Sequence, residues 1–290
     1  MILVIGGRSK IGSALLELLS ARGEKVRALV RDRERGGSLP GRVEPVIGDL
    51  ASPESLRAAM SGVEKVFLLS SPHRDAVQWH RNAIDAARAS GVALLVRSSI
   101  LGADKDRPAE FVSAHTECDR HLEQAGLDHV ILRPNLFLQN VPESTIPSIG
   151  EDGRFYVDAG DARISMVDTR DVAAVASVVL TESGHVGAHY DITGSEALSY
   201  RDVASKLSSA LGREITYVDA PDDAVRGALL GFGLDQWFVD ALVGLYQDYR
   251  RSGTDGYASV VTDTVERVTG RPPRSLDELL SELPAAGERG

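Results

Sequence analysis

The chain has one cysteine, five lysines among its 32 cationic residues, and aromatic side chains at only 5% of positions. With Cys118 alone, an intramolecular disulfide is impossible, which excludes a disulfide-stapled scaffold and fits a reducing cytoplasm. No window approaches the roughly 18 unbroken apolar residues of a membrane-spanning helix. The run Ile2-Leu3-Val4-Ile5 opens the chain and leaves no room for a charged region and a separate apolar one, so no signal peptide is expected. His80 has no carboxylate or histidine partner at metal-ligand spacing and no zinc pattern is visible, so no metal is expected. Ser98-Ser99 lacks the glycines of a nucleophile elbow, which argues against hydrolysis. The surplus of acidic residues gives a net charge of −10. That disfavours nucleic acid and anionic membranes as partners. The scarcity of lysine against arginine reads as a GC-rich genome.

What is present is ordinary for a globular protein: 43% hydrophobic and 26% charged residues over 290 positions. A chain of this length can bury roughly 75% of its unfolded surface. Short apolar runs recur at 2–5, 26–30, 43–47, 66–69, 93–96 and 130–132. Such runs suit strands covered on both faces. Helical patterns fall between them at 11–21, 53 onward, 76–89 and 116–124, with Ser52 as an N-cap and Gly23, Gly91 and Gly126 as stops. Alternating strands and helices predict an α/β fold of the Rossmann type, a doubly wound parallel sheet. After about residue 133 the rhythm changes. Pro134, Pro142 and Pro147 interrupt it, followed by Gly150, Gly153 and Gly160. Helices are expected at 171–180, 200–211, through much of 222–252, and at 275–283, with strands at 189–193 and 215–218. Residues 285–290 are expected to fray. The resulting division is a dinucleotide-binding domain over 1–153, with 168–193 packing back onto it. Residues 154–290 form a smaller, mostly helical substrate region.

The segment Gly6-Gly7-Arg8-Ser9-Lys10-Ile11-Gly12 lies between the first strand and the first helix. A turn nearly free of side chains lets backbone N–H groups approach a pyrophosphate, and the helix N-terminus adds partial positive charge. Val30-Arg31-Asp32 ends the second strand. An acid there takes the ribose hydroxyls of NAD, whereas a base suits the 2′-phosphate of NADP. Arg31 occupies that place and Arg8 lies in the facing loop, so NADP is preferred. Asp32, one residue late, keeps NAD open.

With these and further motifs the chain resembles the NmrA-like branch of the atypical short-chain dehydrogenases. That branch includes quinone-oxidoreductase-2-like proteins and bacterial relatives of the ergot-alkaloid reductases. The matching stretches are Gly6–Gly12, Val30-Arg31-Asp32, Gly48-Asp49-Leu50, Leu68–Pro72, Arg97-Ser98-Ser99, Leu132–Asn135, Met166–Ala173 and Tyr190–Gly194. The resemblance implies that Asp49 and Leu50 flank the adenine and that Leu69, Ser70 and Ser71 line the cofactor. It also implies that Ser98, Ser99 and Pro134 approach the nicotinamide. One departure is Ser9, where the family has a glycine. A Cβ there restricts the backbone and would push the pyrophosphate outward or meet it with the hydroxyl.

The larger departure is in the catalytic pair. The main branch of the superfamily uses Tyr-x-x-x-Lys, yet none of the seven tyrosines here has a lysine four residues later. The equivalent stretch is Phe111-Val112-Ser113-Ala114-His115, and phenylalanine cannot donate a proton. His115 either replaces the lysine at the ribose, or acts as an acid near neutral pH, or merely packs at the start of helix 116–124. Cys118 reads as a small buried hydrophobe. Asn135, Phe137, Gln139 and Asn140 follow the strand that ends near the nicotinamide, and Trp237, Phe238 and Tyr246 suit an apolar substrate wall. Quinones and iminium ions accept hydride without a strong protein acid, so the expected activity is NAD(P)H-dependent reduction of such a small molecule. The alternative is a dinucleotide-binding redox sensor acting through a protein partner. The oligomeric state stays open, a homodimer included.

Overall fold

The computed structural model describes residues 1–32, 39–40 and 42–283; the tail at 285–290, read as frayed, lies outside them. Its strands are β1 (Ile2–Ile5), β2 (Val26–Val30), β3 (Val43–Ile47), β4 (Lys65–Leu68), β5 (Leu94–Ser98), β6 (His129–Pro134), β7 (Arg154–Val157), β8 (His189–Ile192) and β9 (Thr216–Asp219). Seven of them form one parallel sheet in the order β3-β2-β1-β4-β5-β6-β8, and β7 pairs with β9 in a separate parallel ribbon. The helices are α1 (Lys10–Ala21), α2 (Pro53–Ala59), α3 (Ala76–Ala89), α4 (Glu110–Gln124), α5 (Thr169–Thr181), α6 (Tyr200–Leu211), α7 (Asp222–Gly231), α8 (Gln236–Ser252), α9 (Thr264–Thr269) and α10 (Leu276–Ser281).

All four residues of β1 are buried, because helices cover both faces of the sheet. On one face α1 turns Ile11, Leu15, Leu16 and Leu19 inward, against Val172, Val175, Ala176 and Val179 of α5. Apolar on nearly every side, α5 lies between α1, α9 and the sheet. On the other face Leu56, Ala83, Ile84, Ala87 and Leu122 from α2, α3 and α4 close over Leu3, Ile5 and Leu95. The edge strand β3 exposes Glu44 and Pro45, and an edge tolerates the missing N–H of proline. A third cluster joins Phe155, Tyr200, Tyr217, Leu245, Tyr249 and Leu276 from β7, β9, α6, α8 and α10 with Val112 and Leu138.

The doubly wound Rossmann-type sheet is as expected, and α3 matches its expected bounds. Three elements differ. Helix α4 begins at Glu110, not 116, so His115 sits inside the helix rather than at its start. Its buried face carries Thr116, Cys118 and Asp119 beside Val112 and Leu122, and those polar residues hide the apolar period. Strand β7 escaped notice among the glycines at 150, 153 and 160, and α9 is only six residues long. From β1 the chain winds outward to β3, then crosses back to β4 on the other side of β1. That reversal opens a crevice beyond the carboxyl ends of β1 and β4.

Candidate active site

Gly6 turns the chain out of β1 with φ +85°, and a Cβ there would come within 2.5 Å of the Leu69 carbonyl oxygen after β4. A Cβ on Gly12 would overlap the Gly6 carbonyl oxygen, so α1 starts directly against the turn. Ser9 needs no glycine. Its φ of −72° and ψ of 164° are ordinary extended backbone, and its Oγ accepts the Gly12 N–H at 3.0 Å as the N-cap of α1. A groove of about 540 Å³ runs past this turn. Gly6, Gly7, Arg8, Ser9, Arg31, Asp49, Leu50, Leu69, Ser70 and Ser71 all line it, whereas Asp32 does not. Lys10 lies beside the groove and pairs with Glu143. Ile11 turns into the core, and Gly12 acts through its close packing. His73 and Trp79, stacked with ring centroids 4.2 Å apart, also border the groove and were not singled out in the sequence. A bare turn, a helix N-terminus and two guanidinium groups are a donor set that fits a dinucleotide phosphate.

A second cavity, about 300 Å³, shares Leu69, Ser70, Ser71, Pro72 and His73 with the groove. Around it stand Ser98, Ser99, Pro134, Asn135, Phe137 and Asn140, with His115, Trp237 and Phe238, all drawn together from the expected set. Phe111 meets Trp237 edge-on and Phe238 at a tilt, each at 5.8 Å. Glu110 accepts the Trp237 indole N–H, tying α4 to α8. Along α8, Phe238, Leu242, Leu245 and Tyr249 share one helical face and form the wall. Tyr246 does not belong to it. That ring points away, its hydroxyl 2.6 Å from the Tyr200 hydroxyl. Gln139 also lies elsewhere, accepting the Thr169 N–H at 3.0 Å. Asn135 borders the cavity, but its amide nitrogen donates to Ser165 Oγ at 2.9 Å and to the Ala258 carbonyl at 2.8 Å.

Under this cavity lies a polar network that the sequence reading missed. Arg97, the penultimate residue of β5, has 0% exposure. Its Nε donates to His80 Nδ1 at 3.0 Å, and a terminal nitrogen stands 3.0 Å from His115 Nδ1. A guanidinium only donates, so both Nδ1 atoms accept and the neutral rings carry their protons on Nε2. His80 Nε2 therefore donates to Ser70 Oγ, 2.9 Å away. Asp119 receives Arg97, the Ser99 hydroxyl at 2.8 Å and, at 3.4 Å, Arg133. Burial and the positive charge of Arg97 push both histidines down, His115 to about 3 and His80 well below its usual value. His115 is thus neutral across pH 5–8, not the titrating acid considered from the sequence. Burial raises the Cys118 thiol, whose side chain is buried beside the cavity. A charge inside the buried run Leu94–Ser98 was the available signal, because such a charge requires partners.

Among the described residues no group of three His, Cys, Asp or Glu could hold a metal ion, and no helix is long and apolar enough to cross a membrane. The profile of an NAD(P)H-binding family matches residues 6–183. The chain is 37% identical to an NAD(P)H azoreductase of Xenophilus azovorans, over 99% of both chains. It is 29% identical to quinone oxidoreductase 2 of Escherichia coli, over 98% of both. The crystal structure of an NADPH-dependent quinone oxidoreductase from Escherichia coli in complex with NADPH superposes with a TM-score of 0.89 at 28% identity, covering 97% of this chain and 99% of that one. With the glycine turn, the groove and the sheet order in agreement, the chain belongs to the NAD(P)H-binding family, within the NmrA-like atypical short-chain dehydrogenases.

Proposed function

We propose that this NAD(P)H-dependent reductase receives NADPH in the groove, where the nicotinamide supplies a hydride to a flat, conjugated acceptor such as a quinone, an azo compound or an iminium ion. The observation that carries this reading is the continuity of the two sites. Leu69–His73 walls both, so a dinucleotide along the groove ends at an apolar, aromatic cavity. The azoreductase and quinone reductase names of full-length relatives support it.

The residues divide the work. The Gly6–Gly12 turn and the α1 N-terminus hold the pyrophosphate. Arg31, with Arg8 facing it, takes the 2′-phosphate and favours NADPH over NADH. Trp237, Phe238 and Phe111 stack on the acceptor and exclude water, which strengthens every polar contact inside. Residues 154–290, through α8, supply this wall as the substrate region. Phe111 stands where a proton-donating tyrosine would, which suits acceptors whose reduction needs little acid assistance.

Steady-state NADPH consumption across quinones, azo dyes, imines and simple ketones tests the proposal. Turnover with the conjugated acceptors and little with ketones is expected. Tight NADPH binding without consumption by any acceptor would overturn it and favour a sensor.

A further inference from the structure

We infer that Arg97 is a positioning residue that fixes His115 and His80 as neutral Nε2–H donors, so that the site meets the reduced acceptor with hydrogen bonds rather than with a titrating acid. The inference rests on the proposed reductase function and goes further into the same site. Its basis is geometric. One buried guanidinium addresses both imidazoles through their Nδ1 atoms, at 3.0 Å each. It is held from behind by Asp119, which Ser99 and Arg133 also engage. A histidine whose Nδ1 accepts from arginine cannot pick up a second proton there without losing that bond. Its Nε2–H is then permanent. His115 lines the cavity itself. His80 acts one step removed, since its Nε2–H goes to Ser70 Oγ, which frees the Ser70 hydroxyl proton to point into the cleft that Ser70 lines.

The chemistry balances without a protein acid. Hydride addition breaks the acceptor π bond and leaves that electron pair on its oxygen or nitrogen. The His115 N–H and the Ser70 O–H each donate a hydrogen bond to that atom and keep their protons. For a quinone or an azo compound, water supplies the proton that completes the product, whereas an iminium ion is completed by the hydride alone. Donors already oriented in a dry site stabilise such charge without reorganising, and one of them contributes on the order of a hundredfold in rate.

The charged and titratable groups around His115 are Arg97 from β5, His80 from α3, Cys118 and Asp119 from α4 and, through Asp119, Arg133 from β6. Two tests separate the inference from its parent reading. Nitrogen-15 NMR of the imidazoles in the wild-type, cofactor-free protein reports the tautomers directly. Both histidines should show a bare Nδ1 and a protonated Nε2 from pH 5 to 8. Protonation of Nδ1 on either ring within that range would overturn the inference, whether or not the protein turns over. In steady-state assays His115→Gln keeps an acceptor for Arg97 and an N–H for the cavity, yet it cannot act as an acid. It should lose roughly tenfold less kcat than His115→Leu, which should lose on the order of a hundredfold. If Gln falls as far as Leu while wild type reduces quinones, the hydrogen-bond role fails and the reductase reading stands. If wild type reduces no acceptor but the tautomers are as stated, the reductase reading fails instead.

Discussion

The cofactor groove is built around a tight turn of main chain. At Gly6 and Gly12 a single methyl group would collide with a carbonyl oxygen, and the segments after β1, β2, β3 and β4 supply most of its lining. The acceptor cavity next to it is walled by side chains from α4, α8, β5 and the segment after β6, with a buried ionic network beneath. Closely approaching main-chain N–H groups at a helix N-terminus suit a pyrophosphate. Side chains set the shape and polarity that an acceptor would meet. The two sites should therefore fail separately when mutated.

The largest separation is expected at Arg97. Replacing it with Met leaves Asp119 buried with the Ser99 hydroxyl and a longer contact to Arg133, and breaking a buried pair from one side costs about 3–5 kcal/mol. The melting temperature should fall by on the order of 10 °C, while the folded fraction binds NADPH as wild type does. Next comes Arg31→Ala, which removes a charge-assisted contact worth about 1.5–3 kcal/mol. Calorimetry should show NADPH weakened roughly ten- to a hundredfold and NADH unchanged. Equal affinities for the two cofactors in the parent protein would remove the basis for that assignment. Gly6→Ala forces an alanine into a left-handed turn at a cost of about 1–3 kcal/mol. It should reduce NADPH affinity, whereas Ser9→Gly should change stability by only a few tenths of a kcal/mol.

Acid should act on the cavity side. Both His80 and His115 have lowered folded pKa values, so below about pH 6.5 the unfolded chain binds more protons than the folded one. Their contribution to stability is complete above that pH and declines as the pH drops through 5 toward 3. For His115 the loss at pH 5 is on the order of 1 kcal/mol, reduced because its edge is open to the cavity, and His80 adds a loss of the same sign. Melting curves from pH 7 to 5 should fall, and His115→Gln should flatten them. The smallest effect belongs to Tyr249, which lines the cavity. Tyr249→Phe should leave kcat within a few fold. A loss beyond about a hundredfold with the fold intact would show tyrosine to be the proton donor after all.

The groove was legible because its determinants are local. Gly6 to Gly12 is one stretch of seven residues between a strand and a helix, and Arg31 follows the next strand directly. Asp49, Leu50 and Leu69–Ser71 stand at the ends of strands whose parallel order the alternation already implies. The cavity was legible only in pieces. Trp237 and Phe238 were visible as aromatics in an aromatic-poor chain, but the helical face that excludes Tyr246 and admits Leu242, Leu245 and Tyr249 depends on how α8 is rotated against α4. The network was not read, because Arg97, His80, His115 and Asp119 come from three elements that tertiary packing alone brings together. A polar face on α4 concealed both the helix start and the partners it carries.

The most direct test of hydride delivery across the shared wall is a single-turnover mixing experiment under anaerobic conditions. The protein, loaded with NADPH or with C4-deuterated NADPH, is mixed with excess quinone while the reduced-nicotinamide absorbance is followed. Acceptor-dependent loss of that absorbance, slower with the deuterated cofactor and yielding the hydroquinone, is the expected result. Absorbance that persists with NADPH firmly bound, through quinone, azo and iminium acceptors alike, would contradict it.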